Sequence, residues 1–145
     1  MKKFSTLLIM LIAFSTTAQE SEIRSAIDTF FEGFHAKDTV KMKSVFSGLI
    51  VFHTISEKVN GAKLSQEDAS EVCRSIAKIP AEMKFEERLL SYKIDIDGKM
   101  AHVWTPYEFY VNGKLSHTGV NSFQMFKENE NWKIVHCIDT RRKPL

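Results

Sequence analysis

Residues 83–142 read MKFEERLLSYKIDIDGKMAHVWTPYEFYVNGKLSHTGVNSFQMFKENENWKIVHCIDTRR, and their pattern is the strongest indication of the fold. β-branched and aromatic residues, which favour strands, flank the dipeptides Asp97-Gly98 and Asn112-Gly113. Both dipeptides suit two-residue type I′ turns, because each central position there needs a positive φ. The polar run Glu128–Asn131 gives a third connection. The stretch therefore predicts an antiparallel meander of four strands.

The turn at Asn112-Gly113 also sets a register, which predicts that Glu108 lies opposite His117 and that Trp104 lies opposite Asn121. Side chains alternate between the two faces of a strand. One face then carries large apolar groups around a few polar ones: Met100, His102, Trp104, Glu108, Tyr110, His117, Asn121, Phe123 and Met125. Such a composition is typical of a small-molecule pocket.

The other predicted face mixes aliphatic and hydroxyl side chains: Ala101, Val103, Thr105, Tyr107, Phe109, Thr118, Val120, Ser122, Gln124 and Phe126. We expect it to be half exposed or to pack on another subunit. Pro106 has no N–H for the ladder and indicates a bulge or an edge. A bulge there would move Glu108 to this second face.

Glu108 and His117 are the candidate catalytic pair. A carboxylate that holds one imidazole nitrogen raises the pKa of the histidine and leaves the other nitrogen to act as a general base. The alternative is a surface ion pair near a hairpin end, which would contribute little to stability. The predicted ligand-binding residues on the same face are Trp104, Tyr110, Asn121 and Phe123.

The last strand, which follows Glu128–Asn131, leaves two alternatives open. A four-residue connection places His136 on the pocket face, whereas a turn one residue tighter places Cys137 and Asp139 there. His136 and Asp139 are both candidate ligand-binding residues on this reasoning. Trp132 is interpreted as a core residue.

The segment before the meander predicts three helices and a further strand. Apolar residues recur with helical spacing over Ser21–Ala36, and Asp38 is placed to cap a second, shorter helix. Leu49–Ile55 is predicted to be a strand, with His53 in its middle as a further ligand-binding candidate. A capping-box pattern from Ser65 and an apolar stripe that ends at Pro80 predict the third helix.

The first 18 residues have the features of a signal peptide. Lys2-Lys3 is followed by a short apolar run and by the small residues that a signal peptidase needs. The apolar run is shorter than the ~20 residues of a membrane span. We therefore expect an exported protein, periplasmic or extracellular, with one domain over residues 19–145 and no membrane contact after cleavage; an N-terminal anchor is the alternative.

Composition and motifs narrow the range of functions. The net charge is +2 and the charged fraction 26%, which does not favour a nucleic-acid partner, and Arg141-Arg142-Lys143 is interpreted as a solvated tail. Cys73 and Cys137 either pair in an oxidising compartment or are two buried thiols. The sequence has no Walker motif, dinucleotide fingerprint, nucleophile elbow or zinc-spaced set, so neither a cofactor nor a metal is expected.

The order helix, helix, strand, helix and long meander resembles the nuclear-transport-factor-2-like superfamily over about Glu20–Arg142. Trp132–His136 and Asp139–Arg142 resemble the closing strand of secreted SnoaL-like and lumazine-binding-like members. The resemblance implies an α+β cone in which a strongly curved antiparallel sheet wraps around the N-terminal helices. It also implies a pocket between helices and concave sheet, often with a carboxylate or histidine as general base, and a homodimer through the outer sheet face.

Three functional hypotheses follow. The first is an exported protein that binds a small hydrophobic molecule. The second is an enzyme of the SnoaL or ketosteroid-isomerase type, which would use a histidine or carboxylate base on a small hydrophobic carbonyl compound. The third is a dimeric assembly or partner-binding module. Because one fold can host all of these functions, the fold does not choose among them.

Overall fold

The computed structural model describes residues 3–144, with side chains from Thr17 onward. In this part the chain forms three helices and seven strands: α1 Lys3–Ala36, α2 Thr39–Ser44, β1 Phe46–Lys58, β2 Gly61–Asp68, α3 Ala69–Ala77, β3 Phe85–Leu89, β4 Lys93–Asp97, β5 Met100–Val111, β6 Lys114–Glu128 and β7 Asn131–Arg141. The α+β prediction is confirmed.

The strands form one curved sheet in the order β2-β1-β7-β6-β5-β3, with β4 beside β5. The prediction of an antiparallel sheet is wrong at one pair, because β1 and β7 are parallel. The other pairs are antiparallel. A parallel pair needs a long crossover, and here everything from β2 to β6 lies between the two strands in the chain. No local turn signal reports such a contact.

The first predicted strand of the meander is in fact two strands. Both β3 and β4 pair with β5, and residues 90–92 interrupt them. The backbone N–H of Leu90 donates to the carbonyl oxygen of Pro106 at 2.8 Å and so keeps the interruption attached to β5. The shift in alternation near Leu89-Leu90 therefore marks a break between two strands.

The turn at Asn112-Gly113 has the predicted position, and the third turn lies within the predicted connection Glu128–Asn131 but is only two residues long, because Glu128 pairs with Asn131. Asn112 and Gly113 have φ of 49° and 78°, and Asn129 and Glu130 have φ of 45° and 64°, as type I′ turns require. At Asp97-Gly98 the turn is displaced by one residue: Asp97 pairs with Met100, and Gly98 is the first central residue, with φ of 59°. A positive φ at the first central residue suits a type II′ turn. Each β4 residue therefore pairs with a β5 residue two positions further along than predicted, and an even shift leaves the side chains of β4 on their predicted faces.

The apolar stripe of α1 packs into the concave face of the sheet. Ile23, Ile27, Phe30 and Phe31 are buried there, in a cluster completed by strand residues Val103, Phe123, Met125 and Ile134. The predicted start at Ser21 is wrong, since α1 continues through it. The C-terminal end is as predicted, at Ala36.

Each of the two shorter helices begins after an aspartate that caps its N-terminus. Asp38 accepts hydrogen bonds from the backbone N–H groups of Val40 and Lys41, as predicted. The third helix begins later than predicted, because Ser65 pairs with β1 within β2 and Asp68 is the true N-cap, in a capping box with Glu71. α3 is therefore shorter than predicted, and it covers one side of the concave face.

Cys73 on α3 and Cys137 on β7 are both buried free thiols, so the disulfide alternative is not realised. The predicted signal peptide, residues 1–18, lies mostly outside the part of the chain whose side chains are described. Within the described residues, no helix is both long enough and apolar enough to cross a membrane.

Candidate functional site

A cavity of about 330 Å³ lies between the concave face of the sheet, α1 and α3. Its walls are largely aromatic, with rings from Phe30, Phe31, Phe34, Phe52, Phe109 and Phe123. Helix α3 and the segment after it contribute Val72, Ile76 and Ile79. A groove of about 600 Å³ at the end of α1 is larger, but Lys84 and Glu86 in its lining are exposed.

Glu87 is one of the carboxylates that line this cavity. It lies in the middle of β3 opposite Phe109, and its Oε1 accepts a hydrogen bond of 2.6 Å from Asn121 Nδ2. Burial raises the pKa of Glu87 to about 7, and the nearby carboxylate of Asp139 adds to this, while Asn121 and Arg141 oppose it. A carboxyl group with such a pKa can hold or release a proton near neutral pH.

Asp139 is a second inward carboxylate, and its oxygens already have several partners. Thr54 Oγ1 donates to Oδ1 at 2.6 Å, and Arg141 Nε donates to Oδ2 at 2.8 Å. The hydroxyl of Tyr107 lies 3.1 Å from Oδ2 and 2.8 Å from the carbonyl oxygen of Thr140, and it can donate to one of them at a time. Asp139 is therefore an ion-paired structural anchor at the polar end of the cavity.

His117 completes the polar end of the cavity. Its ring stacks on Phe109 with 4.7 Å between centroids, and its Nδ1 lies 3.2 Å from Ser116 Oγ. Burial lowers the pKa of His117, and the positive charge of Arg141 lowers it further. The imidazole is therefore neutral near pH 7 and cannot act there as a fixed cation.

The predicted pair of Glu108 and His117 does not form. β6 has one extra residue at Ser116, so Phe109 pairs with His117 and Glu108 pairs with Thr118. The bulge, which is at Ser116 and not at Pro106, puts His117 on the inner face and leaves Glu108 on the outer one. Glu108 instead accepts a hydrogen bond of 2.8 Å from the hydroxyl of Tyr110.

The same bulge divides the predicted pocket face into two halves. The β6 residues Asn121 and Phe123 do line the cavity, but the β5 residues Trp104 and Tyr110 lie on the outer face with Glu108. Trp104 is 44% exposed. The β5 residues that face inward, Ala101, Val103, Thr105, Tyr107 and Phe109, are those assigned to the second face by the sequence.

A second bulge, at Val135, decides between the two alternatives for the last strand. Met125 pairs with Ile134, but Gln124 pairs with His136, so Val135 is the extra residue. His136 points outward in consequence, and Asp139 points inward. His53 is also outside, and its Nδ1 lies 2.9 Å from His136 Nε2.

Sequence reasoning missed Glu87, Thr54, Tyr107 and Arg141. Glu87 did leave a signal, because it alternates with Phe85 and Leu89 and so puts a carboxylate between two apolar neighbours on one face. Arg141 was assigned to a solvated tail, yet it lines the cavity. Thr54 meets Asp139 only through the parallel pairing of β1 with β7, which has no local signal.

Within the described residues, no group of three or more histidine, cysteine, aspartate or glutamate side chains has a geometry that could hold a metal ion. The described site offers carboxylates, an amide and an imidazole in an aromatic cavity, and these groups can bind a small molecule or transfer a proton.

Comparisons with known proteins show the fold. No protein-family model matches the chain, and no curated protein matches its sequence. An NTF2-like protein of unknown function from Shewanella baltica is similar, with 18% identity, a TM-score of 0.63, and coverage of 88% of this chain and 97% of that one.

Two further solved structures are similar to this chain to a comparable degree. An NTF2-like protein of Streptomyces avermitilis, named as a putative dehydratase, has 16% identity and a TM-score of 0.68, and the match covers 89% of this chain and 99% of that one. The beta subunit of a putative aromatic-ring-hydroxylating dioxygenase from Novosphingobium aromaticivorans has 8% identity and a TM-score of 0.72, and the match covers 90% of this chain and 94% of that one. The chain therefore has the NTF2-like cone fold.

Proposed function

We propose that this protein binds a small hydrophobic molecule in the cavity of the cone. The observation that carries the proposal is an aromatic cavity that ends in a half-buried carboxyl group, that of Glu87, with one oxygen held by Asn121. Ligand sites are usually apolar concavities with a few convergent polar groups, in the range of ~300–1,000 Å³. This cavity is at the lower end of that range, which limits the ligand to a small molecule.

A thermal-shift screen against small ring compounds tests the proposal, with one variant that fills the cavity entrance. Ser75 lines the cavity from α3 but is exposed, so Ser75→Trp should block the space without removing a core residue. Lys78→Trp, on the exposed end of the same helix, is the matched control. A ligand at 100 times its Kd should stabilise the folded protein by about 2.7 kcal/mol.

We expect this stabilisation in the wild type and in the Lys78→Trp variant, and its loss in Ser75→Trp. A ligand that stabilises Ser75→Trp as well as the wild type would place the binding site elsewhere. If no ring compound stabilises the wild type, the proposed function is wrong.

Acid–base catalysis on a carbonyl compound is a second candidate, and the near-neutral pKa of Glu87 favours it. A similar fold in a protein named as a putative dehydratase is compatible with this candidate. General-base catalysis typically contributes 10²–10⁴-fold to a rate. The expected activity is exchange of the α-protons of 2-tetralone in D₂O, followed by NMR. Glu87→Gln should slow this exchange by about 100-fold or more, whereas Glu86→Gln on the opposite face of β3 should not.

Export is a further part of the proposal and is supported by the sequence of residues 1–18 alone. The expected product of signal peptidase starts at Gln19 or Glu20. Intact-mass analysis of the protein from periplasm and medium would check this start. Recovery of the full-length chain from the cytoplasm alone would contradict it.

A further inference from the structure

Negative charge exceeds positive charge around the cavity. Its lining includes Glu67, Glu87 and Asp139, whereas Arg141 is the one lysine or arginine among the described lining residues. Arg141 is bound to Asp139, with 2.8 Å between Nε and Oδ2. Its charge is therefore largely neutralised. No ion pair within the described residues involves Glu67 or Glu87.

Glu87 keeps one oxygen for a ligand. Asn121 donates to Oε1, and no described residue makes a hydrogen bond to Oε2. A buried carboxylate that has no counter-ion is costly, so it takes up a proton or acquires a cation. The surrounding phenylalanine rings present faces that attract cations. A ligand with a positive charge would pair with the carboxylate of Glu87 and would also be attracted by the faces of the phenylalanine rings.

The other titratable groups that face Glu87 do not supply the missing charge. His35 of α1 accepts a hydrogen bond of 2.9 Å at Nε2 from the backbone N–H of Glu87, so this imidazole is neutral. His117 of β6 is neutral near pH 7 because of burial and of Arg141. Asp139 and Arg141 of β7 satisfy each other. Tyr107 of β5 and Cys137 of β7 also interact with Glu87, but burial raises the pKa of both groups, so they are uncharged near pH 7. Arg141 lowers the pKa of Glu87 only in part and is paired with Asp139, so no described residue forms an ion pair with an ionised Glu87.

We propose that the ligand is a hydrophobic cation, an amine that carries one or two rings, whose ammonium group pairs with Glu87. This inference rests on the proposed small-molecule function and adds the chemical class. The rings occupy the phenylalanine-lined part of the cavity, and the ammonium group donates to the free Oε2. Asn121 holds Oε1 and so fixes the direction in which Oε2 points.

Three probes with the same ring system test the inference by isothermal titration calorimetry: 2-naphthylmethylamine, 2-naphthalenemethanol and 2-naphthoic acid. At pH 8 the amine should bind the wild type at least tenfold more tightly than the alcohol, and the acid should bind more weakly than both. With a pKa of about 7, Glu87 is ionised to about one tenth at pH 6. The affinity for the amine should therefore fall about tenfold from pH 8 to pH 6.

Two variants complete the experiment. Glu87→Gln keeps the acceptor for Asn121 but cannot ionise, so it should bind amine and alcohol equally at both pH values. Glu86→Gln removes the same charge from the exposed face of the same strand and should behave like the wild type.

The inference is overturned if the alcohol or the acid binds the wild type as tightly as the amine, or if Glu87→Gln still prefers the amine. Either result leaves the small-molecule function standing, because a probe has bound. If none of the three probes binds the wild type, the proposed function fails, and the inference fails with it.

Discussion

Glu87 is the residue that distinguishes this cavity from a plain hydrophobic core. A glutamate in the middle of a half-buried strand lowers stability when it is ionised, unless a partner compensates for the lost hydration. Here one amide, that of Asn121, is the compensation that the fold supplies. The remaining cost is the origin of the raised pKa, and it is also what a ligand or a substrate can relieve.

We predict that Glu87→Gln raises the free energy of unfolding at pH 8 but changes it little at pH 5. The native pKa of about 7 is above the ordinary value of 4.5, so between these values the folded state keeps a proton that the unfolded chain has lost. Stability therefore falls as the pH rises through this window, by about 3 kcal/mol. Glutamine does not ionise, and the variant escapes this loss.

Urea denaturation at both pH values would measure the effect. The control is Glu86→Gln, for which the difference from the wild type should not grow between pH 5 and pH 8. An equal difference at the two pH values for Glu87→Gln would mean that Glu87 is ionised in the folded protein throughout.

Gly119 is a second residue on which the site depends. A Cβ at this position would lie 1.7 Å from the carbonyl oxygen of Thr140 and 2.8 Å from the hydroxyl of Tyr107. The close approach lets Tyr107 reach Thr140 and Asp139. We predict that Gly119→Ala destabilises the fold by about 3 kcal/mol, because a backbone group must move.

Gly48→Ala is the matched control for this substitution, since a Cβ at Gly48 meets nothing within 4 Å. Thermal unfolding of both variants would check the difference. Equal melting temperatures for the two variants would contradict the packing described around Gly119.

At the scale of the elements, two single-residue bulges assign the side chains to their faces. Ser116 in β6 and Val135 in β7 each add one residue that has no partner. Because the period of a strand is two, one extra residue reverses which side chains face inward beyond it. Asp139 owes its place in the cavity to the second bulge.

This assignment predicts losses of stability of different size for two polar residues of neighbouring strands. Asn121→Ala removes the hydrogen bond to Glu87 and leaves a half-buried carboxyl group without its partner, which should cost about 2 kcal/mol. His136→Ala loses only an outer contact with His53 and should cost less than about 1 kcal/mol. Urea denaturation at pH 7 would compare them. A larger loss for His136→Ala would show that β7 has the other register.

At the scale of the whole molecule, the curved sheet creates two different surfaces. The concave one holds the helices and the cavity. The convex one exposes large apolar side chains, with Met100 57%, Trp104 44% and Phe126 44% exposed. Exposed apolar groups on one sheet face are typical of an interaction surface. We propose that this outer face forms a homodimer.

The dimer proposal predicts that Trp104→Glu halves the molar mass measured by light scattering after size exclusion, because a charge would be buried at the interface. Val40→Glu, on helix α2 away from the sheet, is the control and should leave the mass unchanged; Val40 is 79% exposed. A wild type with the mass of a single chain would refute the proposal.

Local signals in the sequence predicted most of the elements and the fold class, but they did not predict β2 or the division into β3 and β4. Apolar spacing predicted the C-terminal end of α1, Asp38 predicted the cap of α2, and Asn112-Gly113 predicted the central hairpin. These signals are local, because each depends on residues within a few positions of one another. The structure has the corresponding features at these positions. The signals were also sufficient for the resemblance to the NTF2-like cone.

Contacts between distant parts of the chain determine which residues form the site. The bulges at Ser116 and Val135 separated Glu108 from His117 and brought Asp139 inward, and neither residue has a sequence signal for a bulge. Thr54 reached Asp139 through a parallel pairing of distant strands, and Glu87 reached Asn121 across the curved sheet. The physical reason is that strand faces depend on an exact count of residues between pairings, and long-range packing sets that count.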